Sequence, residues 1–331
     1  MTRFVWLGVV VLAVIGLWSA GWFYVAGQAR AALLAHGGAD PATALTCERL
    51  DITGFPFRFD FACTGADITA GDTSVTIAGL RASVLVYNPT HALVSAQSPL
   101  TLADAFTGAE RRLDFASAEA SVRLTTDDLL KGLGGAGWRL ARASLVADDI
   151  TLTDTLTAEL LLARAAHVEA HLLDMPERHA PETGLAGLAA YARAELVQAP
   201  ALDVANGQLS LEAELTGVPD DLRQFAVADA PQRWRDAGGQ LKLVRLEATA
   251  GEEFVRSSGT LALDSAARVE GQIQLASKGL VERTGTLIPE DWKAIVLGQP
   301  AADGSYAQTL NLRGGFVFAG LLPVAQLAPL F

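Results

Sequence analysis

The chain lacks the motifs by which most enzymes announce themselves. Its 331 residues contain no G-x-S-x-G elbow, no S-x-x-K, no phosphate loop and no helical H-E-x-x-H pair. Charge is scarce as well: 19% of residues are charged, and the formal net charge is −12. That balance excludes a general phosphate-binding surface, so nucleic acid is not an expected partner. The basic residues are scattered, which leaves no polybasic patch for anionic lipid. Cysteine is nearly absent. The two present, Cys47 and Cys63, are an even count close together, which reads as one bridge in an oxidising compartment. Asn88-Pro89-Thr90 is not a glycosylation acceptor, because proline holds its middle position.

What the chain has in abundance is apolar sequence, 50% of the whole. Residues 4–27 carry no charge, and Arg3 and Arg30 bracket them. A helix needs about 20 residues to cross the hydrocarbon core, so this run of ~24 suffices. Phe4 and Trp6 at one end, and Trp22, Phe23 and Tyr24 at the other, stand where amphipathic rings settle at membrane interfaces. A cleaved signal peptide, cut after Ala29, is the competing reading. Its apolar core usually runs only about 7–15 residues, so an uncleaved signal-anchor is preferred. Arg3 and Arg30 nearly balance the positive-inside rule, but a short head stays in the cytoplasm more easily than a body of ~300 residues. With the cysteine pair, this implies a single-pass protein of the bacterial inner membrane with its body in the periplasm.

After the anchor (1–30) and a helical extension or linker (31–43), the pattern changes to period two. Phe57, Phe59, Phe61 and Cys63 alternate with Arg58 and Asp60 behind a Gly54-Phe55-Pro56 turn. Leu209, Leu211 and Leu215 alternate against Ser210, Glu212 and Glu214. Leu241 and Leu243, then Leu310, Leu312, Phe316 and Phe318, continue the theme. These sets are the candidate lipid-facing residues. Many short alternating strands predict antiparallel sheet with one wet face. Helix starts are expected at Thr126-Asp127-Asp128, Pro219-Asp220-Asp221 and Pro289-Glu290-Asp291, where acids suit first-turn N–H groups. An amphipathic helix over 184–197 would join two β halves, 44–175 and 200–331.

Three groups of residues bear on chemistry. Gly132, Gly134 and Gly137 match G-x-G-x-x-G, but a helix precedes and a strand follows, the reverse of a dinucleotide loop. His167, Glu169 and His171 at strand spacing would share one face and could converge on a metal. An ordinary solvated strand face is the preferred reading of them. Asp148-Asp149 would point to opposite faces of a strand and are read as turn and edge residues. Neither a catalytic group nor a cofactor is expected.

A hairpin folded about Phe55 would set Cys47 directly opposite Cys63, at nearly bridging distance. The same register would oppose Phe59 to Asp51 and Phe61 to Arg49, although Leu50 and Ile52 suit the phenylalanine face better. A β-bulge between turn and cysteines would reconcile the two.

The segments 47–59, with Gly54-Phe55-Pro56, and 310–323, with Gly314 and Gly320, resemble an uncharacterised family of membrane-anchored alphaproteobacterial proteins, domain-of-unknown-function family 2125. The resemblance covers essentially the whole chain, and its motifs are structural. More remotely the architecture resembles the AsmA-like envelope proteins, which implies an N-terminal helix and a curved periplasmic β-sheet groove linked to lipid traffic.

The expected fold is therefore mainly β with a few short helices: a transmembrane helix followed by a curved antiparallel β-sheet groove, with a β-sandwich as the alternative. The leading functional expectation is a non-enzymatic envelope protein whose groove binds or transfers acyl chains or assists envelope assembly. The alternatives are a periplasmic scaffold binding a protein partner, and a hydrolase using His167 or His171. The apolar stretch 316–331, broken by Pro323 and Pro329, is expected to close the sheet and cap it rather than to enter the membrane.

Overall fold

The structure is a computed structural model that describes residues 2–39, 43–70, 72–126, 137–156, 158–221, 224, 229–279 and 297–330. It is mainly β, with one long N-terminal apolar helix and sixteen strands in antiparallel pairing. Helix α1 (Thr2–Ala39) runs on through Gly37 and Gly38, with Pro41 shortly beyond its end. Within it, Arg3–Leu33 is long and apolar enough to cross a membrane.

The chain divides into two compact units, residues 1–113 and 114–331. In the first, β1 (Thr43–Thr53), β2 (Arg58–Ala70), β3 (Thr73–Leu85), β4 (Asn88–Asp104) and β5 (Glu110–Asp114) pair in chain order. The ladder gathers Leu50, Cys63 and Leu80 into one row, and Cys47, Ala66, Ile77 and Leu100 into another. Both rows belong to the same apolar cluster, in which Ala66 is fully buried. Strict alternation would send Cys47 and Leu50 to opposite faces, so the strands must break step between the rows. They do so at Gly65, which takes a left-handed φ of +59° and leaves no room for a Cβ beside the Glu48 side chain. Glu48, Gly65 and Ala78 are skipped by the ladder at this level. The register also differs from the one expected from the sequence: Cys63 pairs with Leu50 and Cys47 with Ala66, an offset set at the β1–β2 turn, where Thr53 pairs with Asp60, and unchanged across Gly65. The disulfide still forms, with Cα atoms 5.4 Å apart. Ile52 lies opposite Phe61, which puts Leu50 and Ile52 on the phenylalanine face.

In the second unit β6 (Ser117–Thr125), β7 (Arg139–Asp154), β8 (Leu160–Asp174), β9 (Leu185–Ala199) and β10 (Val204–Pro219) pair consecutively. The meander continues through β11 (Gln240–Ala250), β12 (Glu253–Leu263), β13 (Val269–Lys278), β14 (Tyr306–Arg313), β15 (Phe316–Ala319) and β16 (Leu322–Gln326). This pairing lacks the break between two facing sheets that a sandwich has.

The helix expected over 184–197 is strand β9 instead. Its Ala, Leu, Arg and Glu residues favour helix locally, but β8 and β10 flank it and take up both rows of its backbone hydrogen bonds. Asp220 and Asp221 follow β10 as a bend; the residues after Asp221, and the helix starts expected at 126–130 and 289–292, lie wholly or partly outside the described residues. A short helix that the sequence reading did not include, α2 (Ala230–Asp236), packs Trp234 against β10, where its indole N–H donates to the Thr216 carbonyl at 2.8 Å. Gly239 makes room for that indole, because a Cβ there would overlap the ring. Trp234 covers Leu188, Val218 and Leu215 at one end of the sheet.

Candidate functional site

An apolar cleft in the first unit lies where α1 meets its sheet. Trp22 and Ala26 are buried there, and Trp18, Trp22, Val25, Ala29 and Leu33 fall at helical spacing on the sheet-facing side. The Trp22 indole stacks on Phe59 with ring centroids 5.1 Å apart, and meets Phe55 edge-on at 5.6 Å. Phe23 stacks on Phe55. Two indole hydrogen bonds tie helix to sheet: Trp18 donates to the Pro56 carbonyl and Trp22 to the Arg58 carbonyl, each at 3.1 Å. An indole N–H buried among apolar groups needs such a partner.

Two cavities flank this contact. The larger, about 620 Å³, lies between Ala29, Ala32 and Leu33 of α1 and Leu45, Leu50, Phe61 and Leu80 of the sheet, with the disulfide in its wall. The smaller, about 350 Å³, lies between Leu17, Trp18 and Val25 and the strand ends at Phe59, Val84 and Pro89. Both fall in the range of ligand pockets, roughly 300–1,000 Å³, and their linings are almost wholly apolar. Such a lining offers dispersion contact and no polar anchor, which suits a hydrocarbon chain and no metabolite with a charged group.

Of the residues expected from the sequence, Phe59 and Phe61 belong to this site, whereas Phe57 is in the turn before β2 and is exposed. The helix side of the site was not anticipated. Its signal is the aromatic cluster at 22–24, which sequence alone places at a membrane interface and the structure places against Phe55 and Phe59 as well.

In the second unit the expected leucines do share one face. Leu215, Leu241, Leu261 and Leu312 make one row, and Ala213, Leu243, Ile273 and Leu310 the next. Leu211 and Leu246 extend it, and Leu209 follows, partly exposed. Phe316 and Phe318 are corrected: they pair with Arg313 and Asn311, on the opposite face from Leu310 and Leu312. The two-residue Gly314-Gly315 turn, with φ of +61° and +83°, couples even positions of β14 to odd positions of β15. Arg313 lies over the Phe318 ring at 4.7 Å.

The three candidate metal residues do not converge: His167 turns to Asp148, and His171 lies beside Glu169. His167 Nδ1 is 2.7 Å from Asp148, whose other oxygen accepts from the Ser117 hydroxyl at 2.8 Å. His171 Nε2 is 3.6 Å from Glu169, and its ring stacks on Tyr191. Among the described residues, no group of three or more His, Cys, Asp or Glu is placed to hold a metal ion. Hydrogen bonds from His167 and Ser117 hold the Asp148 carboxyl below the usual carboxylate range, and the bond to Asp148 raises the His167 imidazole. Asp148 is thus a mid-strand residue, not a turn residue. Asp149 beside it takes φ +52° and is skipped by the ladder. Ser117 donates to the aspartate and not to the imidazole, so the trio lacks the base-to-nucleophile contact of hydrolytic catalysis. Gly137, with φ +70°, lies two residues before β7, and Gly132 and Gly134 lie outside the described residues.

A half-buried polar knot has no counterpart among the site residues expected from the sequence. His179 Nε2 sits 2.6 Å from Asp174, and Asp220 lies 4.0 Å from His179 Nδ1 and 3.7 Å from Arg139. It fastens the ends of β7, β8 and β10. His179, beyond Pro176, stood apart from any spacing pattern.

An N-terminal apolar helix docked on the apolar face of an antiparallel meander defines the class of protein. The chain belongs to the family described as an uncharacterized protein conserved in bacteria, DUF2125, whose profile matches residues 22–328. No curated protein and no solved structure matches it.

Proposed function

We propose that this is a non-enzymatic protein of the bacterial cell envelope that holds lipid acyl chains between its membrane helix and the first sheet. The observation that carries the reading is the pair of apolar cavities along α1, walled by helix on one side and by β1–β4 on the other. In this reading α1 is an uncleaved anchor in the inner membrane and the body lies in the periplasm. The Cys47–Cys63 disulfide fits an oxidising compartment, and Arg3–Leu33 is long enough to span. Because the cavities adjoin the helix, an acyl chain could enter from the bilayer without crossing water. Alphaproteobacterial origin and kinship with AsmA-like envelope proteins are parts of the same proposal; they rest on analogy of architecture.

Site-specific photocrosslinking in native membranes tests it. Probes replacing Leu33 and Leu80 should capture phospholipid or glycolipid, identified by mass spectrometry. If these probes capture only residues of the same chain, and no lipid co-purifies with the detergent-extracted protein, the reading fails. A second reading, a scaffold for a protein partner, is favoured by the half-exposed leucine rows of the second unit. A probe at Leu211 that captures protein and no lipid would support it.

A further inference from the structure

The turns at the α1 end of the first sheet have an unusual composition for loops exposed to water. The β1–β2 turn presents Phe55 and Phe57, 46% and 63% exposed, and the β3–β4 turn presents Tyr87, 76% exposed. Three large rings at two adjacent turns form a tip: Phe55 rests one face on Phe23 and Trp22, and Phe57 and Tyr87 stand out beside it.

The backbone of these turns is prepared for loss of water. The Gly54 carbonyl accepts from Arg58 N–H, the Pro56 carbonyl from Trp18, the Phe57 carbonyl from Val86 N–H and the Arg58 carbonyl from Trp22. Pro56 and Pro89 have no N–H to satisfy. Irregular backbone is tolerated at membrane depth only where protein supplies its hydrogen bonds, and here it supplies those of four carbonyls in and beside the β1–β2 turn. The Phe57–Val86 bond, at 2.9 Å, also joins the two turns to each other.

The level of the tip is set by the helix. If the hydrocarbon core starts at Phe4, just past Arg3, about 20 residues bring its outer edge to Phe23. Trp18, bonded to Pro56, then lies about 7–8 Å inside that edge. Trp22, bonded at Arg58, lies at the edge itself. The Arg58–Asp60 ion pair, at 2.7 Å, therefore sits at the headgroup level, with the three rings below it.

We infer that the joined turns of β1–β2 and β3–β4 are a membrane wedge: Phe55, Phe57 and Tyr87 are immersed in the outer leaflet of the same bilayer that α1 spans. The inference rests on the reading of α1 as a membrane anchor. It gives the smaller cavity, lined by Trp18, Phe59 and Pro89, direct access to acyl chains.

The test uses the full chain with its native disulfide intact, carrying one added cysteine at a time: F57C, Y87C, L12C within α1, and F106C in the β4–β5 turn. Phe106 is 86% exposed at the far end of β4. Each variant is labelled with an environment-sensitive fluorophore and reconstituted into phosphatidylethanolamine–phosphatidylglycerol vesicles containing spin-labelled lipid. All four positions are exposed, and circular dichroism verifies that each variant folds. Probes at 57 and 87 should be quenched as the probe at 12 is, losing several-fold more emission than the probe at 106. Quenching at 12 with 57 and 87 behaving like 106 overturns the wedge and leaves the anchor standing. No quenching at 12 overturns the anchor and the wedge with it.

Discussion

Reducing the Cys47–Cys63 bridge should loosen the first unit and leave the second untouched. The two residues are 16 apart in sequence. In the chain-entropy account, opening a loop of that size returns about 3 kcal/mol of freedom to the unfolded chain. The bridge links the two rows of the apolar cluster across the step at Gly65, so the strands it restrains are β1 and β2 and, through Leu80 and Ile77, β3. At about 1.4 kcal/mol per tenfold, amide exchange through opening of this unit should accelerate on the order of a hundredfold on reduction. Hydrogen–deuterium exchange with peptide-level mass spectrometry, with and without reductant, reads both units in one experiment. Peptides of β1–β3 should lose protection while those of β10–β13 keep theirs. Cys63→Ser should cost more than Cys63→Ala, because Cys63 is buried among Leu50, Ala66 and Ile77 and the Thr46 carbonyl, the acceptor beside its side chain, is 4.0 Å from the sulfur, too far to compensate a buried hydroxyl. Unchanged protection of β1–β3 after complete reduction would refute the reasoning, since the bridge would then restrain nothing that the packing does not already hold.

Three further outcomes are expected. Trp22→Ala removes a stacked, buried indole and its bond to Arg58, a change that usually costs about 3–5 kcal/mol in a core; under the proposed reading lipid refills part of the space, so we expect the low end, read as faster exchange over 54–60 with little change in the second unit. Gly65→Ala places a Cβ against Glu48 at a left-handed backbone position and should destabilise the first unit by about 1–2 kcal/mol, whereas Gly108→Ala, with φ +71° and open space around it, adds no such clash; urea unfolding compares them. The His167–Asp148 pair should stabilise the protein in a window of pH. The raised imidazole contributes fully below its unfolded pKa near 6.5 and loses its contribution as pH rises through the folded value, while the lowered carboxyl contributes above about 3.8 and loses it as pH falls through its own folded value. Nuclear magnetic resonance titration should show the His167 midpoint fall in Asp148→Asn; an unmoved midpoint would show that Asp148 does not hold the proton.

Some of this architecture is legible in the sequence because its physics is local. The apolar length of α1 follows from composition, and the leucine face of β10, β11 and β14 follows from period-two spacing. The features that escaped depend on long-range partners. Residues 185–199 favour helix by propensity, yet they are flanked by two strands whose backbones they complete. Leu50 and Cys47 cannot share a face at a spacing of three unless the strand breaks step, and the residue that permits it, Gly65, lies on the partner strand. The docking side of α1 was hidden for another reason. A tryptophan at a membrane edge and a tryptophan stacked on a phenylalanine 37 positions later look the same in one dimension.

The Gly314-Gly315 turn shows how one loop length decides which side chains share a face of the sheet. Both residues have positive φ, and a two-residue loop of this kind makes Leu312 face Val317 and Arg313 face Phe316. Counting alternation straight through the turn puts Leu310, Leu312, Phe316 and Phe318 on one surface; counting it through the hairpin moves both phenylalanines to the surface that carries Asn311, Gln272 and Thr260. The apolar face of the second unit therefore ends in the small residues Val317 and Ala319 and not in aromatic rings. In the first unit the aromatic rings are on the apolar side: Phe59 and Phe61 face α1, with Phe55 beside them. Phe59 and Phe61 thus put strand-borne rings on the apolar face where α1 docks, whereas at Leu215 the leucine face of the second unit is covered by Trp234 of α2, and this difference is why the acyl-chain proposal rests on the first unit.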